Sequence, residues 1–117
     1  MNIYDKSHEL AKVLKDTREV VDYREAHKKI AENESNKKIV DDFRKLQLEA
    51  YNEQMTKGEL SKEIKDKMQS LGAILSSNAD VANYLQSEAK FAVLWEDIIK
   101  ILHEAVGLDL TFGNDNK

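Results

Sequence analysis

Residues 81–106, VANYLQSEAKFAVLWEDIIKILHEAV, carry more apolar surface than one helix can hide against a single neighbour, and this restricts what the chain can fold into. Val81, Tyr84, Leu85, Ala92, Trp95, Ile99, Leu102 and Val106 recur at steps of three and four. At about 100° per residue they share one stripe, the expected core face of a long helix. From Phe91 onward a second row, Phe91, Leu94, Ile98, Ile101 and Ala105, lies beside the first. The apolar arc then reaches roughly 200°, about twice that of an ordinary surface helix. Such a helix needs cover from more than one side.

The rest of the chain is also written for helices. It has no proline and only four glycines in 117 residues, 34% of which are charged, so a sheet with its many turns is excluded. The expected fold is all-α, about five helices with long antiparallel helical hairpins, bundle-like and oligomeric. A single domain is expected over residues 1–112, with 113–117 as a flexible tail. Absence of cysteine removes disulfides, thiol catalysis and cysteine-held zinc or iron–sulfur centres from this chain's own repertoire. A net charge of −4 disfavours nonspecific binding to nucleic acid or anionic membrane. With no export or lipidation signal and no uncharged stretch of membrane-spanning length, a cytoplasmic protein is expected.

Taken in order, Asn2 to Asp16 reads as an amphipathic first helix with Ile3, Leu10, Val13 and Leu14 on one side. Asp16 or Thr17 is placed to cap a short second helix bearing Val20, Tyr23, His27, Ile30 and Ala31 and ending near Glu32. Asn33 is a natural cap for a third helix, residues 34–56, with Ile39, Phe43, Leu46 and Ala50 as one seam and Val40, Gln47, Tyr51 and Gln54 beside it. The third helix and residues 81–106 are both long rods and are expected to pack side by side. Gly58 suits a left-handed helix end before the return helix, residues 60–77, which presents Leu60, Ile64, Met68, Leu71, Ile74 and Leu75. Asn78 repeats the capping arrangement of Asn33, and Gly107 ends the last helix. Leu108, Leu110 and Phe112 are available to dock on a neighbouring surface.

No catalytic, cofactor or metal motif emerges. His8 and Glu9 start like a zincin helix, but Lys12 stands where the second histidine is required. His27 shares an apolar stripe and reads as a packing histidine, and His103 sits in a last helical turn, where the dipole favours it. Glu96 and Asp97 are adjacent and point about 100° apart, which is not a facing carboxylate pair. Lys28, Lys29, Lys37 and Lys38 cluster, but Glu25, Glu32, Glu34, Asp41 and Asp42 are interspersed with them. Glu88 is the exception, because it falls inside the apolar stripe between Leu85 and Ala92. A carboxylate there is costly unless it is paired, so an Arg or Lys partner and a role in setting helix register are expected.

A capped short helix, then ENESNKKIVDDFRKLQLEAYNEQM, a return helix, and SSNADVANYLQSEAKFAVLWEDIIKILHEAVGLDL together resemble the YlbF/YmcA-like proteins of Gram-positive bacteria, particularly their YheA-like branch. Phe43 followed by Gln47, and the Asn78 junction leading to Tyr84, Leu85 and Glu88, carry the resemblance most distinctly. It implies a small all-helical protein that forms dimers or higher assemblies. Related members are implicated in competence, sporulation and biofilm regulation, and some join a complex that influences an RNA-degrading endonuclease. Those complex-forming relatives are associated with iron–sulfur clusters, for which this chain offers no cysteine.

Three functional classes follow from these residues. The first is a non-enzymatic adaptor or regulatory interaction protein, homo-oligomeric and with protein partners, using Phe91, Leu94, Trp95, Ile98, Ile101 and Leu102 as its interface. The second is a regulator acting directly on RNA. The third is a small helical enzyme using Glu88, His103 and His8 or His27 in one pocket.

Overall fold

The computed structural model describes residues 2–108. The expectations for Leu110, Phe112 and the 113–117 tail lie outside them. The described residues form five helices and no strand: α1 Ile3–Asp16, α2 Arg18–Ala31, α3 Glu34–Lys57, α4 Lys62–Ser77 and α5 Ala79–Val106.

Four helix starts are fixed by short polar side chains that accept otherwise unpaired backbone N–H groups. Asn2 accepts from Tyr4, Asn33 from Asn36, Ser61 from Ile64 and Asn78 from Val81. Glu53 braces the start of α4 by accepting from the Ser61 amide at 2.8 Å and the Ser61 hydroxyl at 3.1 Å. These donors, the Ser61 amide foremost, hold its carboxyl below the usual range. Gly58 and Gly107 close α3 and α5 with φ of 79° and 74°, a left-handed conformation that favours glycine. Thr17 departs from the expected capping. Its hydroxyl donates back to the Val13 carbonyl at 2.8 Å, so it ends α1 and gives α2 no side-chain cap.

The main core lies where α2 runs antiparallel to the first half of α5, with α3 laid across them. Ala26 and Ile30 of α2, Val40 of α3, and Val81 and Tyr84 of α5 are buried together, Val81 completely. The expected side-by-side packing of α3 and α5 is therefore corrected: α2 is the principal neighbour of α5. The N-termini of α3 and α5 are tied together, since Asn78 Nδ2 donates to Asn36 Oδ1 at 2.8 Å, and Asn36 is buried. The two long helices touch again at Arg44 and Glu88, and α3 also pairs with α4. Leu46, Ile64 and Leu71 form a second small core there, backed by Phe43, Ala50 and Leu60, which makes the expected helical hairpin. Met68, expected on this apolar face, is 44% exposed.

The result is a plate of 55 × 40 × 17 Å, about two helices deep. Its radius of gyration is 18.4 Å, against about 13 Å for a compact domain of ~100 residues. Helix α1 contributes to this openness: it packs on α2, buries none of its residues, and leaves Ile3, Tyr4 and Val13 facing water.

Candidate interaction surface

Glu88 lies where α2, α3 and α5 meet. Its Oε2 accepts from Arg44 Nη2 at 2.6 Å and from the Tyr23 hydroxyl at 3.2 Å. Arg44 also donates to the Tyr84 hydroxyl at 3.2 Å, and its guanidinium stands 6.0 Å from the centre of the Tyr84 ring. One side chain from α2, one from α3 and two from α5 thus form a polar clasp within an apolar seam. Burial, followed by the neighbouring Tyr84, pushes the Tyr23 hydroxyl well above its ordinary value. The hydrogen bond to Glu88 raises Arg44 further, against the opposing effect of burial.

Arg44 was not distinguished by sequence pattern alone, although the same signal that singles out Glu88 applies to it. Val40, Arg44, Gln47 and Tyr51 step by four, three and four, so Arg44 is the one charge in that row. Asn36 and Ser87, both buried polar residues, also escaped the apolar pattern.

Beside the clasp an aromatic ladder climbs α5. Tyr23 stacks between Tyr84 and Phe91, with ring centres 5.7 and 5.2 Å away, and Phe91 leans on Trp95 at 5.8 Å. The ladder marks the end of the chain's own cover. Phe91, Leu94 and Ile98 are half-buried, whereas Trp95, Ile101 and Leu102 are 45%, 65% and 51% exposed. Ile99 and Val106 are exposed as well. The core face expected along the whole of residues 81–106 is thus corrected to its first half. The reason is length: α2 has 14 residues and α5 has 28, spans of about 21 and 42 Å at ~1.5 Å per residue. The C-terminal half of α5 is an uncovered arm.

The histidines do not join Glu88. His8 lies on α1 beside Asp5 and Glu9, His27 is exposed with its ring 6.0 Å from that of Tyr84, and His103 is exposed in the last turn of α5. The groove beside Glu88, about 590 Å³, is lined by Tyr23, Phe43, Gln47, Phe91 and Trp95 among others, and no histidine reaches it. Among the described residues, no three His, Asp or Glu side chains gather as a metal would require. Lys28, Lys29, Lys37 and Lys38 are exposed, and Lys38 is paired with Asp42 at 3.2 Å. No helix among the described residues is long and apolar enough to cross a membrane.

These features define a small all-α protein with a tightly capped base and an open apolar helical arm. The chain belongs to the family described as control of competence regulator ComK, YlbF/YmcA, whose model matches residues 3–107. It is 54% identical over 112 residues to a UPF0342 protein of Clostridium tetani, covering 96% of this chain and 97% of that one. A UPF0342 protein of Clostridium novyi is 55% identical over 109 residues, covering 93% and 96%. One of Halothermothrix orenii is 32% identical over 111 residues, covering 95% and 94%. Among solved structures, a chain in the crystal structure of Bacillus subtilis RicA in complex with RicF shares the fold, with a TM-score of 0.56 and 21% identity over 90% of this chain and 93% of that one.

Proposed function

We propose that this protein is a non-enzymatic regulatory adaptor that works as a homo-oligomer and joins protein partners through the α5 arm. The observation that carries this reading is the arm itself, where Trp95, Ile101 and Leu102 stand about half or more exposed on a helix whose first half is well covered. A contiguous apolar face of this kind on a water-soluble surface marks a site of association. Membership of a family named for control of a competence regulator supports the regulatory part. The shared fold is found in a chain of the RicA–RicF complex, which supports use of such a fold between chains. Glu88, clasped by Arg44 and Tyr23, sets the register of α5 against α2 and α3, so that the arm leaves the base at a fixed angle.

Light scattering at micromolar concentration tests the reading. The native chain should have at least twice the 13.4 kDa mass of one copy. The double variant Ile101→Glu/Leu102→Glu should fall to the mass of one copy with its helical content intact, and should lose partners that the native protein retains from its own cell extract. A native chain with the mass of one copy removes the homo-oligomer, and equal partner recovery by both proteins removes the arm as the partner site.

A further inference from the structure

Two open apolar features adjoin one another on this chain. One is a trough of about 500 Å³ between α3 and α4, walled by Phe43, Ala50, Met68, Leu71 and Leu75 and passing over Gly72. The other is the groove of about 590 Å³ that leads to Phe91 and Trp95 at the root of the arm. Phe43 and Gln47 line both, so the two are continuous. Gly72 is a second observation pointing the same way. Glycine inside a helix is destabilising relative to alanine, yet a Cβ placed on Gly72 would meet nothing within 4 Å. Nothing in this chain approaches closely enough to require the glycine, which leaves room for another backbone.

We infer that the trough between α3 and α4 seats the α5 arm of a second copy of this chain, in a two-fold exchange where each molecule's arm lies in the other's trough. The inference rests on the reading that the arm pairs between copies, and it names the surface that the arm meets. Four physical points select this occupant. The trough residues are all uncharged, and so is the arm's row of Phe91, Leu94, Ile98, Ile101 and Ala105. Both features adjoin on the same chain, so one two-fold axis covers both in both copies and leaves neither open, as a self-complementary interface requires. Trp95, Ile101 and Leu102 of the arm and Met68 of the trough are each 44–65% exposed, apolar surface that one copy alone leaves in water. Finally, the arm carries two apolar rows and so needs a concave seat, whereas α1 has a single stripe that a flat face can serve.

Because the chain has no cysteine of its own, disulfides report the contact directly. Gly72→Cys protein is mixed and co-refolded with Ile98→Cys, Ile101→Cys or Ala105→Cys protein, and separately with Leu10→Cys or Val13→Cys protein, then mildly oxidised. A disulfide forms only where the two Cα atoms come within about 7 Å. A mixed dimer with at least one arm variant and with neither α1 variant is the expected result. Mixed dimers with the α1 variants alone, or with none while light scattering still shows a dimer, overturn the trough as the seat and leave the homo-oligomer standing. A native chain with the mass of one copy overturns both. As a second readout, Gly72→Trp fills the trough and should weaken self-association at least tenfold with unchanged helical content. Unchanged association of that variant overturns the inference.

Discussion

Arg44 and Glu88, 44 residues apart in sequence, close to 2.6 Å and form the one ion pair between α3 and α5 among the described residues. Their side chains are 43% and 30% exposed, so solvent screens part of the attraction. The pair is held more by geometry than by charge alone, because Tyr23 and Tyr84 complete the hydrogen bonding on either side.

Glu88→Gln keeps the shape and one acceptor oxygen but removes the charge, and should lower stability by about 1 kcal/mol. In a double-mutant cycle with Arg44→Met and Glu88→Gln, the coupling should be about 0.5–1.5 kcal/mol. Urea melts of the four proteins check this. Unchanged melting together with unchanged oligomer mass in Glu88→Gln would remove Glu88 as the residue that sets register.

Asn78 caps α5 through Val81 and binds the buried Asn36 of α3, so it serves two helices at once. Asn78→Ala should cost about 1–2 kcal/mol, above a simple surface cap, because Asn36 is left with an unpaired oxygen. Asn2→Ala, which removes an exposed cap from α1, should cost far less. Thermal melts that rank these two variants equally would contradict the role assigned to the Asn36–Asn78 tie.

Burial raises the Tyr23 hydroxyl above its ordinary value, so the folded state holds that proton more tightly than the unfolded chain does. The resulting stability is fully present below the unfolded pKa of about 10 and is lost as pH rises beyond it. Tyr23→Phe removes this contribution, and its urea midpoint should fall less steeply than that of the native protein between about pH 9 and about pH 11.5. Parallel curves would mean that Tyr23 ionises as freely in the folded protein as in the unfolded one.

Trp95 is 45% exposed within one copy, so Trp95→Ala should change the stability of the isolated chain only modestly. It stands where the aromatic ladder reaches the arm, a position suited to anchor the proposed interface. Its removal should weaken association by about 2 kcal/mol, roughly thirtyfold. Sedimentation over a concentration series separates the two effects, and a variant that associates like the native chain rules out Trp95 as an anchor.

The local elements were readable in the sequence because their signals are local. Asn33, Asn78, Gly58 and Gly107 announce helix ends through their own chemistry, and the periodicity of α5 needs no neighbour to be seen. The partnership of helices was not readable in the same way. Apolar stripes on α2 and α3 both offer cover for α5, and Ala26 and Ser87, small residues buried in the structure, do not stand out in any pattern. Thr17 departs from the capping expected of Asp16 or Thr17 because its hydroxyl has two competing partners, the following amides and the preceding Val13 carbonyl. Sequence also cannot divide one stripe into a half covered by its own chain and a half left open. That division at Phe91 comes from the shortness of α2.

Hydrogen exchange across residues 94–105 at two protein concentrations tests most directly whether the arm depends on another chain. If it does, these amides should be strongly protected where the native protein is associated, and should lose that protection on dilution to single copies, while residues 81–88 stay protected throughout. Equal protection of the arm in associated and fully dissociated protein would contradict the account.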